Sequence, residues 1–85
     1  MSLAHERDKI DAINHQLVEL LLQRFSVADK ISQLKQAEGL PILNPQREAE
    51  VLTKIETITN GSAYTEYIKQ IFVTIMNETK KSEDK

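Results

Sequence analysis

Apolar residues recur through the first part of the chain with a period of 3.5. Setting a heptad from Leu3 puts Leu3, Ile10, Leu17, Arg24 and Ile31 at the a positions, and Glu6, Ile13, Leu20, Val27 and Leu34 at the d positions. Eight of these ten positions are Leu, Ile or Val, the pattern of a helix whose apolar seam pairs with another helix. No Gly or Pro interrupts the stretch, so one long helix is expected over about 5–37. At ~1.5 Å per residue it is roughly 50 Å long. Arg24 breaks the seam in its middle. A guanidinium in an apolar interface costs several kcal/mol, roughly, unless a partner awaits it.

The segment "EGLPILNP" ends the first helix. Gly39 suits a left-handed C-terminal cap, and Pro41 forbids continuation. Asn44-Pro45 reads as an N-cap followed by the first residue of a second helix, expected over 45–59 with Val51, Leu52, Ile55 and Ile58 at helical spacing. Asn60, Gly61 and Ser62 close that helix and offer Ser62 as the next N-cap. A third helix is expected over 63–80, with Tyr64, Ile68, Ile71, Phe72, Ile75 and Met76 on one face. The polar end, 81–85, is expected to fray. No strand pattern is present. The chain therefore reads as one all-α domain over 1–85, with one long helix and two shorter ones.

Size changes this picture. A chain of 85 residues buries only about 60% of its unfolded surface. Its two short helices are not long enough to cover the first. A partner chain lying along the long helix is the expected solution.

Charge and composition narrow the function. A formal net charge of −2 argues against a general nucleic-acid partner. The absence of cysteine excludes thiolate chemistry and disulfides and fits a cytoplasmic protein. No apolar run approaches the ~20 residues of a membrane span, and no signal-peptide pattern opens the chain. His5 and His15 lie on different faces, without metal-ligand spacing or a nucleophile near them. No cofactor or metal is expected.

The cations are more informative. Arg24 suits either a device that sets the register of a helix pair or a ligand for an anion. Lys35 follows 11 positions later, which returns to nearly the same helix face about 16 Å along the axis. Two long side chains there bracket space for a small anion, although a lysine at a helix end is also favoured by the dipole alone. Arg47 stands in the first turn of helix two, where the dipole disfavours cations and unpaired N–H groups favour an anion. A salt bridge to Glu50 is the alternative. Glu48 begins the inward stripe continued by Val51, Leu52 and Ile55. Arg7 reads most simply as an exposed arginine. The chain has eight lysines and only three arginines, and the three are Arg7, Arg24 and Arg47. Arginine is the better bidentate ligand for a carboxylate. A cationic site with one inward carboxylate and no nucleophile suits binding, or a reaction that needs only restraint and charge stabilisation.

These residues also form an ordered pattern. Arg7 precedes Ile10-Asp11-Ala12-Ile13-Asn14; then come L-x-x-L-L-x-x-R ending at Arg24, I-x-x-x-K ending at Lys35, and "GLPILNPQRE" ending at Glu48. In this order and spacing the chain closely resembles the all-helical class of chorismate mutases. The resemblance implies an isomerase of aromatic amino-acid biosynthesis, converting chorismate to prephenate in an intertwined homodimer with two sites. It implies that Arg7 is donated across the interface. Arg24 and Lys35 come from the same chain, with Lys35 reaching the ether oxygen as well as a carboxylate. Arg47 and Glu48 close the site, and Glu48 accepts from the ring hydroxyl. In the empty protein, Glu48 or water would stand in as the partner of Arg24. Asn44 occupies a position where the family usually has Asp, and Thr79 one where it has Ser. Glu83 stands where Gln is commonest. A Gln amide donates to the ether oxygen at any pH, whereas a Glu donates only when protonated. Glu83 is therefore either a protonated donor or outside the site. Two other functions fit the same resemblance less well: an isochorismate-pyruvate lyase of this fold, and a non-catalytic helical dimerisation or effector-binding module.

Overall fold

The structure, a computed structural model, describes residues 2–83. Three helices account for nearly all of it: α1 (Leu3–Glu38), α2 (Pro45–Thr59) and α3 (Thr65–Glu83). Each boundary has a local cause. The Ser2 hydroxyl caps α1 by accepting from the His5 N–H at 3.1 Å. Gly39 ends it at φ 71°, where a side chain would be strained. Asn44 caps α2 through its Oδ1, which accepts from the Arg47 N–H at 3.1 Å, and Pro45 opens the helix. Asn60 (φ 46°) and Gly61 (φ 79°) both take left-handed backbone and reverse the chain. Ser62 accepts from the Tyr64 N–H, so it builds the turn while α3 itself starts at Thr65.

Helix α3 does not fray where the sequence suggested. It continues through Glu83, with Lys80 and Lys81 in its last turn and Lys81 paired with Glu78 at 3.0 Å. Cations there complement the helix dipole, which offsets the polar composition. Residues 84 and 85 of the expected tail lie outside the described residues.

Helix α3 packs against both α1 and α2, while α1 and α2 do not approach each other closely. Ile55 of α2 and Met76 of α3 are buried, flanked by half-buried Val51, Leu52, Ile68, Phe72 and Ile75. Lys69 ties the same two helices through Glu56, 2.6 Å away. That hydrogen bond, outweighing a smaller opposing effect of burial, holds the Lys69 ammonium above its ordinary value of 10.5. The raised value keeps Lys69 charged at neutral pH, and its side of the bridge is lost as pH rises through that alkaline range. Ile58, Tyr64 and Ile71, expected on the inward faces, are exposed instead.

Helix α1 meets α3 through a face different from its seam. Ala28 and Ser32 are buried there, with Leu21, Phe25 and Lys35 half-buried on the same stripe. The eight apolar seam residues remain between 45% and 66% exposed. The molecule measures 55 × 26 × 16 Å, elongated along α1. Among the described residues, only Ala28, Ile55 and Met76 are buried apolar side chains, and none is fully enclosed. This is a thin core for an independent domain.

Candidate functional site

Because α1 and α2 both lean on α3 without touching each other, an open groove of about 280 Å³ runs between them, floored by α3. Helix α1 contributes Arg24, Val27, Ala28, Ile31 and Lys35 to its wall. The connecting segment adds Ile42 and Asn44, and α2 adds Arg47, Glu48 and Val51. Met76, Thr79, Lys80 and Glu83 form the floor. Of the eight residues singled out in the sequence, the groove gathers Arg24, Lys35, Asn44, Arg47, Glu48, Thr79 and Glu83.

Arg7 is not among them. It lies exposed on α1, 17 residues before Arg24, or about 25 Å along the axis and far beyond side-chain reach. Among the described residues it makes no ion pair.

The polar groups of the groove already have partners within the chain. Arg24 swings out of the seam toward α3, where its Nη1 donates to Thr79 Oγ1 at 2.7 Å. The Thr79 hydroxyl passes its own proton to the Ile75 carbonyl, also at 2.7 Å, which leaves a lone pair facing the guanidinium. The in-chain partner of Arg24 is thus the buried Thr79 hydroxyl, where the expectation was Glu48 or water. Glu48 is taken instead by Lys80, whose Nζ lies 3.1 Å from Glu48 Oε2. Lys35 reaches across the end of α1 to donate to the Ile42 carbonyl at 3.1 Å. Arg47 lines the groove and also pairs with Glu50 at 3.5 Å. Asn44 serves as N-cap and as wall.

Lys80 is the residue that sequence reading missed. It stood as the last residue of the expected third helix, beside the polar end, although it follows Thr79 directly and precedes Glu83 by three. That spacing on a continuing helix is the signal that it faces the same groove. His15, by contrast, pairs with Glu19 on the exposed side of α1. No group of three His, Asp or Glu residues suited to holding a metal ion occurs among the described residues. Nor is any helix among them long and apolar enough to cross a membrane.

The groove thus offers four cations and two carboxylates on a partly apolar bed. Its one hydroxyl, on Thr79, is engaged by Arg24 and the Ile75 carbonyl, and the excess of cations suits recognition of a compact anion. The sequence profile of the family "Chorismate mutase type II" matches residues 6–84. The chain belongs to that family. It is similar to a chorismate mutase of Methanocaldococcus jannaschii, 34% identical over 56 residues that cover 66% of this chain and 57% of the relative. It also resembles a bifunctional chorismate mutase/prephenate dehydratase of Buchnera aphidicola, 36% identical over 81 residues. That match covers 92% of this chain but only 20% of the relative. The chain therefore spans a little over half of one curated relative and a fifth of the other. Among solved structures, a chorismate mutase (form II) from Thermus thermophilus superposes with a TM-score of 0.89 at 27% identity. The superposition covers 98% of this chain and 94% of that one. Three helices with the first long are thus the family's architecture as well as this chain's.

Proposed function

We propose that the protein is a chorismate mutase that acts as a homodimer. The observation that carries this reading is the convergence of Arg24, Lys35 and Arg47 with Glu48, Thr79 and Glu83 in one groove. Chorismate is a dianion, and its conversion to prephenate is an intramolecular pericyclic rearrangement. One C–O bond breaks as one C–C bond forms, so no nucleophile is required. The enzyme must hold the extended molecule in a compact chair-like geometry and stabilise negative charge on the departing ether oxygen. Arg24 and Arg47 are the carboxylate ligands. Lys35 meets the ether oxygen, with Thr79 and Glu83 on the floor beside it. Glu48 accepts from the ring hydroxyl, and Asn44 holds the start of α2 against the substrate. Substrate carboxylate then replaces Thr79 as the principal partner of Arg24. The groove is open on one side, and Arg7 of the partner subunit closes it.

The decisive test is chorismate turnover, followed by loss of its absorbance and appearance of prephenate. Parallel incubation with isochorismate is expected to release no pyruvate. Pyruvate release without prephenate would assign the fold to a lyase, and inertness toward both would reduce it to a binding or dimerisation module. Sedimentation at micromolar concentration is expected to give a dimer, because the exposed seam and thin core call for a partner along α1. A well-folded monomer would remove the shared site.

Glu83 provides a donor prediction. A Gln amide is a hydrogen-bond donor, whereas an ionised carboxylate only accepts. Glu83→Gln is expected to raise kcat near neutrality by roughly tenfold, less than the ~10²- to 10³-fold of a sole oxyanion donor because Lys35 serves the same oxygen. An unchanged rate would exclude Glu83 from the chemistry.

A further inference from the structure

Lys80 has no place among the residues assigned by the family resemblance, yet it lines the groove and holds one of its two carboxylates. Its Nζ lies 3.1 Å from Glu48 Oε2, joining the floor of the groove on α3 to the wall on α2. Both side chains are about one-third exposed (32% and 30%), so the pair sits at the edge of the groove rather than free in solvent. A charge-assisted contact of this kind fixes a carboxylate that would otherwise sample several rotamers. It engages Oε2 and leaves Oε1 of Glu48 available as an acceptor.

Lys80 also matters to the charge of the groove. The lining carries Arg24, Lys35, Arg47 and Lys80 against Glu48 and Glu83, a formal balance of +2. Without Lys80 the second carboxylate, Glu83, would reduce that balance to +1. Lys80 and Glu83 are three residues apart on α3, adjacent on one helix face. A groove for a dianion that contains two acids thus gains a cation beside both of them.

We propose that Lys80 is a positioning residue of the substrate site: it orients Glu48 toward the substrate hydroxyl. This rests on the chorismate mutase reading above. Since Lys80 acts through Glu48 and through binding, its effect belongs in KM. A lysine that merely clipped α3 to α2 would change thermal stability and leave KM alone.

The experiment measures kcat and KM for chorismate in the wild type, Lys80→Met, Lys80→Arg, Glu48→Gln and the double variant Lys80→Met/Glu48→Gln. Circular dichroism verifies folding. Lys80→Met is expected to raise KM about fivefold with kcat within about twofold, a modest effect because the pair is partly exposed. Lys80→Arg, which keeps the cation, is expected to restore KM to within about twofold of wild type. In the Glu48→Gln background the same Met substitution is expected to add less than about twofold, since no ionised acid remains there to orient. Unchanged KM in Lys80→Met, or failure of Lys80→Arg to restore it, overturns the inference while leaving the function intact. So does an equal fivefold loss in the Glu48→Gln background. A folded wild type that does not turn chorismate over overturns the function and, with it, this role for Lys80.

Discussion

Arg24→Ala is expected to lose roughly 10²- to 10³-fold in kcat/KM for chorismate, while Arg24→Leu folds at least as well as the wild type. The two outcomes separate the roles that one residue could play in the seam. Arg24 stands at an a position between Leu17 and Ile31, but its guanidinium turns aside to Thr79. That contact is to a neutral hydroxyl, which is weak compensation for withdrawing a cation from water. Under the proposed function, the missing compensation is a substrate carboxylate. Removing the guanidinium deprives that carboxylate of a bidentate ligand in a partly desolvated groove, hence the large kinetic loss. For folding the sign is different. Leucine at position 24 would continue the apolar seam, and Thr79 would keep its own donated bond to the Ile75 carbonyl. Thermal unfolding and steady-state kinetics on both variants check this. An Arg24→Leu protein that does not fold would make Arg24 a structural residue.

The two faces of α1 explain how much was legible beforehand. The length of the helix, its end at Gly39 and the restart at Asn44-Pro45 follow from local chemistry, which acts between neighbours in sequence. Which face of α1 meets its own chain does not. The regular seam through Leu17, Leu20, Val27 and Ile31 is the strongest pattern, yet it faces outward. The internal contact uses the less regular stripe of Leu21, Phe25, Ala28, Ser32 and Lys35. Periodicity reports that a face is apolar, not what covers it. At the site, Arg24 and Arg47 stood out because each breaks a local preference of seam or dipole, Lys35 because it returns to the helix face of Arg24, and Glu48 because it begins an inward stripe. Lys80 breaks none, since a lysine in the last turn of a helix is what the dipole favours. Its pairing with Glu48 joins residues 32 positions apart and becomes visible only when α3 lies beside α2. The end of α3 was underestimated for a related reason. Polar composition suggested fraying, but the Lys81–Glu78 pair and the Ser82 hydroxyl bond to the Thr79 carbonyl support the last turn.

The exposed seam and the stranded Arg7 lead to a second large effect, the recovery of activity by mixing two inactive proteins. Arg7→Ala and Lys35→Ala are each expected to be nearly inactive alone, since each removes a cation from both sites of a dimer. A two-fold axis perpendicular to α1 would pair the seams antiparallel. The helix spans Leu3–Glu38, so its midpoint falls between Leu20 and Leu21. Crossing there sets Arg7 level with Leu34 of the partner subunit, one residue from Lys35 of the partner subunit. The arginine that is about 25 Å from its own groove is then beside the other one. In a mixed dimer, one site lacks both cations and the other lacks neither. Random exchange of equal amounts makes half the dimers mixed, so about a quarter of all sites are intact and activity should return to about a quarter of wild type. The proteins are mixed in denaturant, refolded together and assayed for chorismate turnover, with mass spectrometry of the native dimers establishing that mixed species formed. Activity that stays at the level of the parents, in confirmed mixed dimers, would mean that Arg7 and Lys35 act together within one chain. The groove would then have to be closed by some residue other than Arg7.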